Sequence, residues 1–132
     1  MTTKDFDSGL LALQGWREGH KEGAQVALYV AYTIHNLAKY KDISIGEAVV
    51  LHRAMHFLPA MEDEFPDCRD PQFTRLLQRI DQVTAEFAED PTNGAIYYAE
   101  LSNGAPEYIK PILADSERHP MCAISGTRHF FK

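Results

Sequence analysis

Apolar positions fall into helical stripes over the first ninety residues and into short alternating runs after them. Phe6, Leu10, Leu13 and Trp16 recur near the spacing of one helix face and predict a first helix. The polar stretch W-R-E-G-H-K-E-G, punctuated with Gly15, Gly19 and Gly23, reads as a loop or helix junction. From Glu22 to about Lys39 a second helix is apolar nearly all round, through Val26, Ala27, Val30, Ala31, Ile34, Leu37 and Ala38. A helix without a polar face belongs at the centre of a domain.

Ser44 and Glu47 have the spacing of a capping box, in which each side chain satisfies the other's exposed backbone amide. They predict a third helix, carrying Ala48, Val49, Val50, Leu51, Met55 and Phe57. Pro59, Pro66 and Pro71 then mark an irregular connection. Asp70-Pro71 is a strong helix start, a capping side chain before a proline at the first helical position. The fourth helix shows the stripe Phe73, Leu76, Leu77, Ile80, Val83 and Phe87, and Asp90-Pro91 ends it. Beyond it, Ala95-Ile96-Tyr97-Tyr98-Ala99 reads as a strand between glycines, residues 105–114 as one helical turn, and Cys122 to Phe131 as a strand pair turning at Gly126. The expected fold is α+β, a mainly helical body with a small C-terminal antiparallel β element, forming a single domain over residues 1–132.

The 132 residues, 45% hydrophobic and 24% charged, suit one globular domain with a real core. No stretch approaches the roughly 20 apolar residues of a membrane span. The net charge of −6 and the absence of a basic run exclude nucleic acid as an expected partner, since Arg75 and Arg79 are separated and Asp81 follows them. Cys68 and Cys122 lie far apart without a CxxC spacing; two thiols are the simpler reading and one bridge the alternative. His52 and His56 stand four apart, but Arg53 occupies the place where a metalloprotease needs glutamate. A third ligand would have to come from Glu62 or Asp63, so the pair reads as surface or half-buried histidines and no metal is expected. Neither a GxSxG elbow nor a glycine-rich phosphate loop occurs, and no cofactor is expected.

The segment Asp90-Pro91-Thr92-Asn93-Gly94-Ala95-Ile96-Tyr97-Tyr98 resembles the D-P-T-x-G-A-x-x-[YF] signature of the SleB/CwlJ-like cell-wall hydrolases, the spore-cortex-lytic family. Glu22-Gly23-Ala24-Gln25 is similar to that family's E-G-x-Q helix start, Phe65-Pro66-Asp67 and Gln72-Phe73 to its F-P-D and Q-F elements, and Gly126 to Lys132 to its closing G-x-H-x-F-[YF] strand. The resemblance implies a lysozyme-like helical fold with a β hairpin. It also implies cleavage of the β-1,4 bond after N-acetylmuramic acid in peptidoglycan, by one glutamic acid acting first as acid and then as base, without metal or nucleotide. The partner would be the glycan strands, with other virion proteins as further partners if a phage carries the chain. Met1 to Asp7 does not read as a secretion signal, so synthesis in the cytoplasm and delivery by a virion or a pore are expected.

An ungapped alignment puts Gly15 at the position of the family's catalytic glutamate, which glycine cannot replace. A loop shortened by three residues instead matches Trp16-Arg17-Glu18 to the family's W-x-E and makes Glu18 the acid, with Trp16 and Tyr98 as walls of its pocket. Glu22 and Glu100 are the other candidates. Thr92, Tyr97, Tyr98 and His129 are expected to line the glycan groove. The family's histidine aligns with Arg128 when no gap is allowed, and His129 stands one residue late, so a bulge at Gly126 would be needed to turn it inward. The rival reading keeps the fold and loses the chemistry, leaving a catalytically inactive module that serves a virion or binds cell wall.

Overall fold

The structure, a computed structural model, describes residues 3–55, 66–67, 69–84, 90–101, 104, 107–125 and 128–132. Within them the order is α1 (Thr3–Gly19), α2 (Ala24–Lys41), α3 (Ile45–Met55), α4 (Pro71–Thr84), β1 (Tyr97–Glu100), a 3-10 turn (Glu107–Ile109), α5 (Lys110–Ala114), β2 (Met121–Ser125) and β3 (Arg128–Phe131). The fold is therefore α+β and mainly helical, with a small antiparallel sheet at the C-terminal end.

The apolar helix is at the centre, as its sequence requires. Val26, Ala27, Val30, Ala31, Ile34 and Ala38 of α2 share one core with Leu11, Ala12 and Trp16 of α1, Ala48 of α3, Leu76 and Ile80 of α4, and Tyr98 and Phe130 of the sheet. Burying each large aliphatic side chain contributes about 1.5–3 kcal/mol, so this one helix organises most of the hydrophobic gain. It begins after Gly23, whose φ of 122° suits glycine, and ends at Asp42 in the left-handed region, where the amide returns to Ala38 and Lys39.

The first helix runs further than its polar composition indicates. Gly15 and Gly19, expected to open a loop, lie inside α1 and face α2. A Cβ on Gly15 would stand 2.5 Å from the Ala27 carbonyl oxygen, and one on Gly19 2.6 Å from the Ala27 nitrogen. The buried line of α1 is thus Ser8, Ala12, Gly15 and Gly19, flanked by Leu11 and Trp16, while Phe6 is 57% exposed. Small residues let two backbones approach closely, and a hydrophobicity pattern does not register glycine as an interface residue.

Ser44 begins α3 as expected. The Glu47 amide donates to Ser44 Oγ at 3.1 Å, but the return bond runs from that hydroxyl to Glu47 Oε1 rather than to the serine amide. Its buried positions are Ala48 and His52, four apart, whereas Val50 is 68% exposed and Leu51 is also exposed. Asp70 caps α4, accepting from the amides of Gln72 at 2.9 Å and Phe73 at 3.4 Å. The expected continuation of α4 to Phe87 falls on residues 85–89, outside the described set.

Strand order is β1-β3-β2, with Tyr98 opposite Phe130, Ala99 opposite His129, and Glu100 opposite Arg128. Alternation along the strands sets Tyr98, Phe130 and Arg128 on the face toward the helices. The other face carries Tyr97, Ala99 and Phe131, which pack with Ile109 and Ile112 in a second small cluster. The β2–β3 irregularity lies between Met121 and Ala123, and residues 126–127, where a bulge was expected, lie outside the described set.

The Asp90–Gly94 turn anchors this sheet to α2. Asp90 Oδ1 accepts from the Thr92 amide at 2.8 Å and hydroxyl at 2.7 Å, and Oδ2 from the Gly94 amide at 2.9 Å and Asn36 Nδ2 at 2.8 Å. Asn36 also donates to the Ala95 carbonyl at 3.0 Å. Positive φ at Asn93 and Gly94 completes the turn.

Candidate active site

Glu18 sits in the last turn of α1, and the close seating of Gly15 and Gly19 on α2 holds that turn against the domain centre. Its side chain is 2% exposed. Three groups converge on the carboxyl. Gln14, one turn earlier, donates from Nε2 to Oε2 at 2.7 Å. The Tyr98 hydroxyl donates to Oε1 from β1. His52 Nε2 lies 2.9 Å from Oε2 and 3.1 Å from Oε1.

The His52 ring nitrogen can donate to a carboxylate or accept from a carboxyl, so the contact is a hydrogen bond in either case. A buried polar cluster of this kind is stable only when its members are mutually satisfied. Here three elements from distant parts of the chain (α1, α3 and β1) each contribute a partner.

Arg128 closes the cluster from β3. Its guanidinium lies 5.0 Å from the centre of the Tyr98 ring, donates from Nη2 to the Glu18 carbonyl oxygen at 3.0 Å, and grips Glu22 Oε2 at 2.7 Å and 3.1 Å. Glu22 is thereby engaged in an ion pair. Glu100, the third candidate acid, has a side chain outside the described set.

The expected groove residues separate. Tyr98 meets Glu18, with its ring tilted against His52 and Phe130. Tyr97 points to the opposite face of the sheet, edge-on to His119, where burial raises its hydroxyl above the ordinary tyrosine value. Thr92 is fully buried within its own turn, bonded to Asp90 and accepting from the Ala95 amide at 3.2 Å. His129 shares the strand face of Tyr97 and Ala99 rather than that of Arg128, and its Nδ1 is buried without a hydrogen-bond partner among the described residues. The residue that reaches the cluster from β3 is the one at the ungapped position, Arg128. Trp16 faces α4, stacked on His20 at 4.0 Å and donating to Asp70 at 3.3 Å, so it forms no wall beside Glu18.

His52 is the member that sequence reasoning missed. Expected at or near the surface, it is fully buried, because α3 turns its Ala48–His52 side inward. The available signal was Ala48, a small residue one turn before the histidine on a helix whose bulky residues crowd the other side. His56, Glu62 and Asp63 lie outside the described residues, and among the described ones no three His, Cys, Asp or Glu side chains converge as metal ligands. Likewise, no helix of the described residues is long and apolar enough to cross a membrane.

Cys122 on β2 is a free thiol whose Sγ donates to the Phe130 carbonyl at 3.6 Å, and burial pushes it above the ordinary thiol value. Cys68 lies outside the described set. A raised thiol holds less thiolate at neutral pH, and the thiolate is the nucleophile. Iodoacetamide at pH 7.5 should therefore alkylate Cys122 more slowly than it alkylates glutathione, with unfolding restoring the rate. Mass spectrometry of the Cys122 peptide against time reads this, and equal rates would contradict the burial.

Comparison with protein-family models, with curated proteins and with solved structures gave no match.

Proposed function

We propose that the chain is a glycosidase of the lytic transglycosylase or muramidase type that cleaves peptidoglycan after N-acetylmuramic acid, with Glu18 as its general acid and base. The observation that carries this reading is the Glu18 carboxyl, buried at the end of α1 and bonded to an aromatic hydroxyl on the neighbouring sheet. The resemblance of the Asp90–Tyr98 segment to the SleB/CwlJ-like hydrolases supports the substrate class.

In the proposed cycle, Glu18 gives its proton to the glycosidic oxygen as the bond to C1 breaks. The resulting carboxylate then takes the proton of the sugar's own 6-hydroxyl as that oxygen closes on C1, leaving a 1,6-anhydro end and restoring the acid. One carboxyl suffices for both steps. A hydrolysing pair needs a second free carboxylate across the bond. Glu22, the neighbouring acid, is held by Arg128, which favours the single-acid route.

Tyr98 and His52 position the carboxyl. Because the carboxyl is sheltered, the reading requires the glycosidic oxygen to replace the Tyr98 hydroxyl on Oε1. Incubation of the purified protein with peptidoglycan sacculi, followed by mass spectrometry of the soluble fraction, tests the reading. Anhydro-muramic ends are expected. Intact sacculi and no soluble glycan would reject it.

The same burial favours a second reading, in which Glu18, His52 and Tyr98 form a polar core that only holds α1, α3 and the sheet together in a non-catalytic wall-binding or virion module. That reading predicts retention on sacculi with no glycan product.

A further inference from the structure

A separate groove of about 590 Å³ lies between the first turns of α2 and the face of α4, away from Glu18. Gln72, Arg75, Leu76 and Arg79 share one face of α4 at helical spacing, and Ala24, Gln25, Leu28 and Tyr29 supply the facing side of α2. The volume is that of a site for a small ligand or a few residues of an extended chain.

Its electrostatics run against those of the molecule. The chain carries a net charge of −6, yet among the described residues two guanidiniums and no acid line this groove. Arg75 and Arg79, one turn apart, project side by side. Neither is engaged by an acid among the described residues. Asp90, beside the lining Pro91, has both oxygens committed to the turn and to Asn36. Gly23 offers no side-chain cap to α2, so the positive end of that helix adds to the same field.

The remaining lining narrows the ligand. Gln25, Gln72 and Gln78 carry amides that both donate and accept, as a peptide backbone does. Gln25 and Gln72 are partly committed already, to Ser125 Oγ at 2.9 Å and to the His20 carbonyl at 3.3 Å, and this fixes their orientation. Leu28, Leu76 and the Tyr29 ring provide an apolar floor. Arginine pairs carboxylates through two parallel bonds.

We infer that this groove binds a short peptide bearing carboxylates, with Arg75 and Arg79 as the carboxylate clamps. If the proposed function is right, that peptide is the acidic stem attached to muramic acid on the same strand, and the groove selects peptide-bearing regions of the wall. This assignment to the stem rests on the glycosidase reading; the binding site itself does not.

Direct binding separates the two. A fluorescein-labelled Ala-Glu-Glu-Ala peptide is titrated against the full chain by anisotropy, beside the same peptide with both glutamates as glutamine, and with inorganic polyphosphate as competitor. Wild type should prefer the carboxylate peptide by about tenfold or more, a preference that weakens with salt. The Arg75→Gln/Arg79→Gln variant, checked for an unchanged melting curve, should lose that preference, whereas Glu18→Gln should bind as wild type does. Equal binding of the two peptides, or full binding by the double arginine variant, would overturn the inference. So would displacement by polyphosphate far below the peptide's own Kd, which would make the groove a phosphate site. Because no cleavage is read, loss of the glycosidase reading leaves this result standing, and the reverse also holds.

Discussion

Glu18→Gln folds and melts as the wild type does but releases no soluble glycan from peptidoglycan. The substitution is isosteric, and the three partners of the carboxyl can all be satisfied by an amide. With the amide oxygen in the Oε2 place, Gln14 Nε2 still donates to it, and the NH2 group in the Oε1 place donates to the Tyr98 hydroxyl oxygen and to His52 Nε2. Stability should change by no more than about 1 kcal/mol, since the exchange of one buried hydrogen bond for another is nearly neutral. Chemistry has no such substitute, because an amide cannot deliver a proton at neutral pH. General acid catalysis is worth roughly 10²–10⁴-fold, and here the same group serves twice, so a loss at the upper end is expected. The measurement is the rate of anhydro-muropeptide release beside a thermal melt of each protein. Activity within about tenfold of wild type would make Glu18 a structural acid, and Glu22→Gln and Glu100→Gln would then be the variants to assay.

Gly19→Ala destabilises the protein, and Gly9→Ala in the same helix does not. A Cβ at Gly19 would meet the Ala27 nitrogen at 2.6 Å and its Cα at 2.7 Å. These are backbone atoms of the central helix, so no side chain can swing away, and α1 must shift from α2. Overpacking costs about 1–3 kcal/mol, and contact with backbone belongs at the upper end. The helix propensity of alanine returns at most about 1 kcal/mol, and less at a helix end, leaving a net loss of about 2 kcal/mol. For a chain of this length that lowers Tm by roughly 5–10 °C. Gly9 has nothing within 4 Å of its notional Cβ, so there only the propensity gain remains and Tm should rise slightly. Differential scanning calorimetry of the two variants checks the pair. A Gly19→Ala melt matching that of wild type would mean that α1 and α2 are not seated this closely. The effect should also reach the site, because Glu18 is the preceding residue and its distance to Tyr98 follows the position of this turn.

Elements with local physical causes were legible. Asp70 before Pro71 announces α4 because a side-chain acceptor and a missing amide both suit a helix start. Ser44 and Glu47 announce α3 for a related reason. The apolar circumference of α2 could only be a centre. Aromatic residues between glycines gave a short strand, although β1 begins at Tyr97 rather than Ala95, where Ala95 and Ile96 instead follow the Asp90 turn into the core. Errors came where the cause is a distant partner. The helical glycines of α1 look like loop residues until α2 is laid against them. His52 looks like one of a surface pair until its inner face is known. Strand parity turned Arg128 rather than His129 toward the helices, and Thr92 went into its own turn instead of a groove.

By itself, then, the chain determined the capped starts of α3 and α4, the central place of α2 and the α+β order, because each depends on residues within a few positions of one another. The resemblance of Trp16-Arg17-Glu18 to a family's W-x-E put Glu18 forward as the acid, beside Glu22 and Glu100. Which groups surround that carboxyl was decided only by tertiary structure. Gln14, His52, Tyr98 and Arg128 come from four elements, α1, α3, β1 and β3, separated by up to 110 positions, counting Glu18 to Arg128. A strand register one residue away would have presented the opposite set of side chains. Such registers are settled by close packing across the whole domain, which no local stretch of sequence contains.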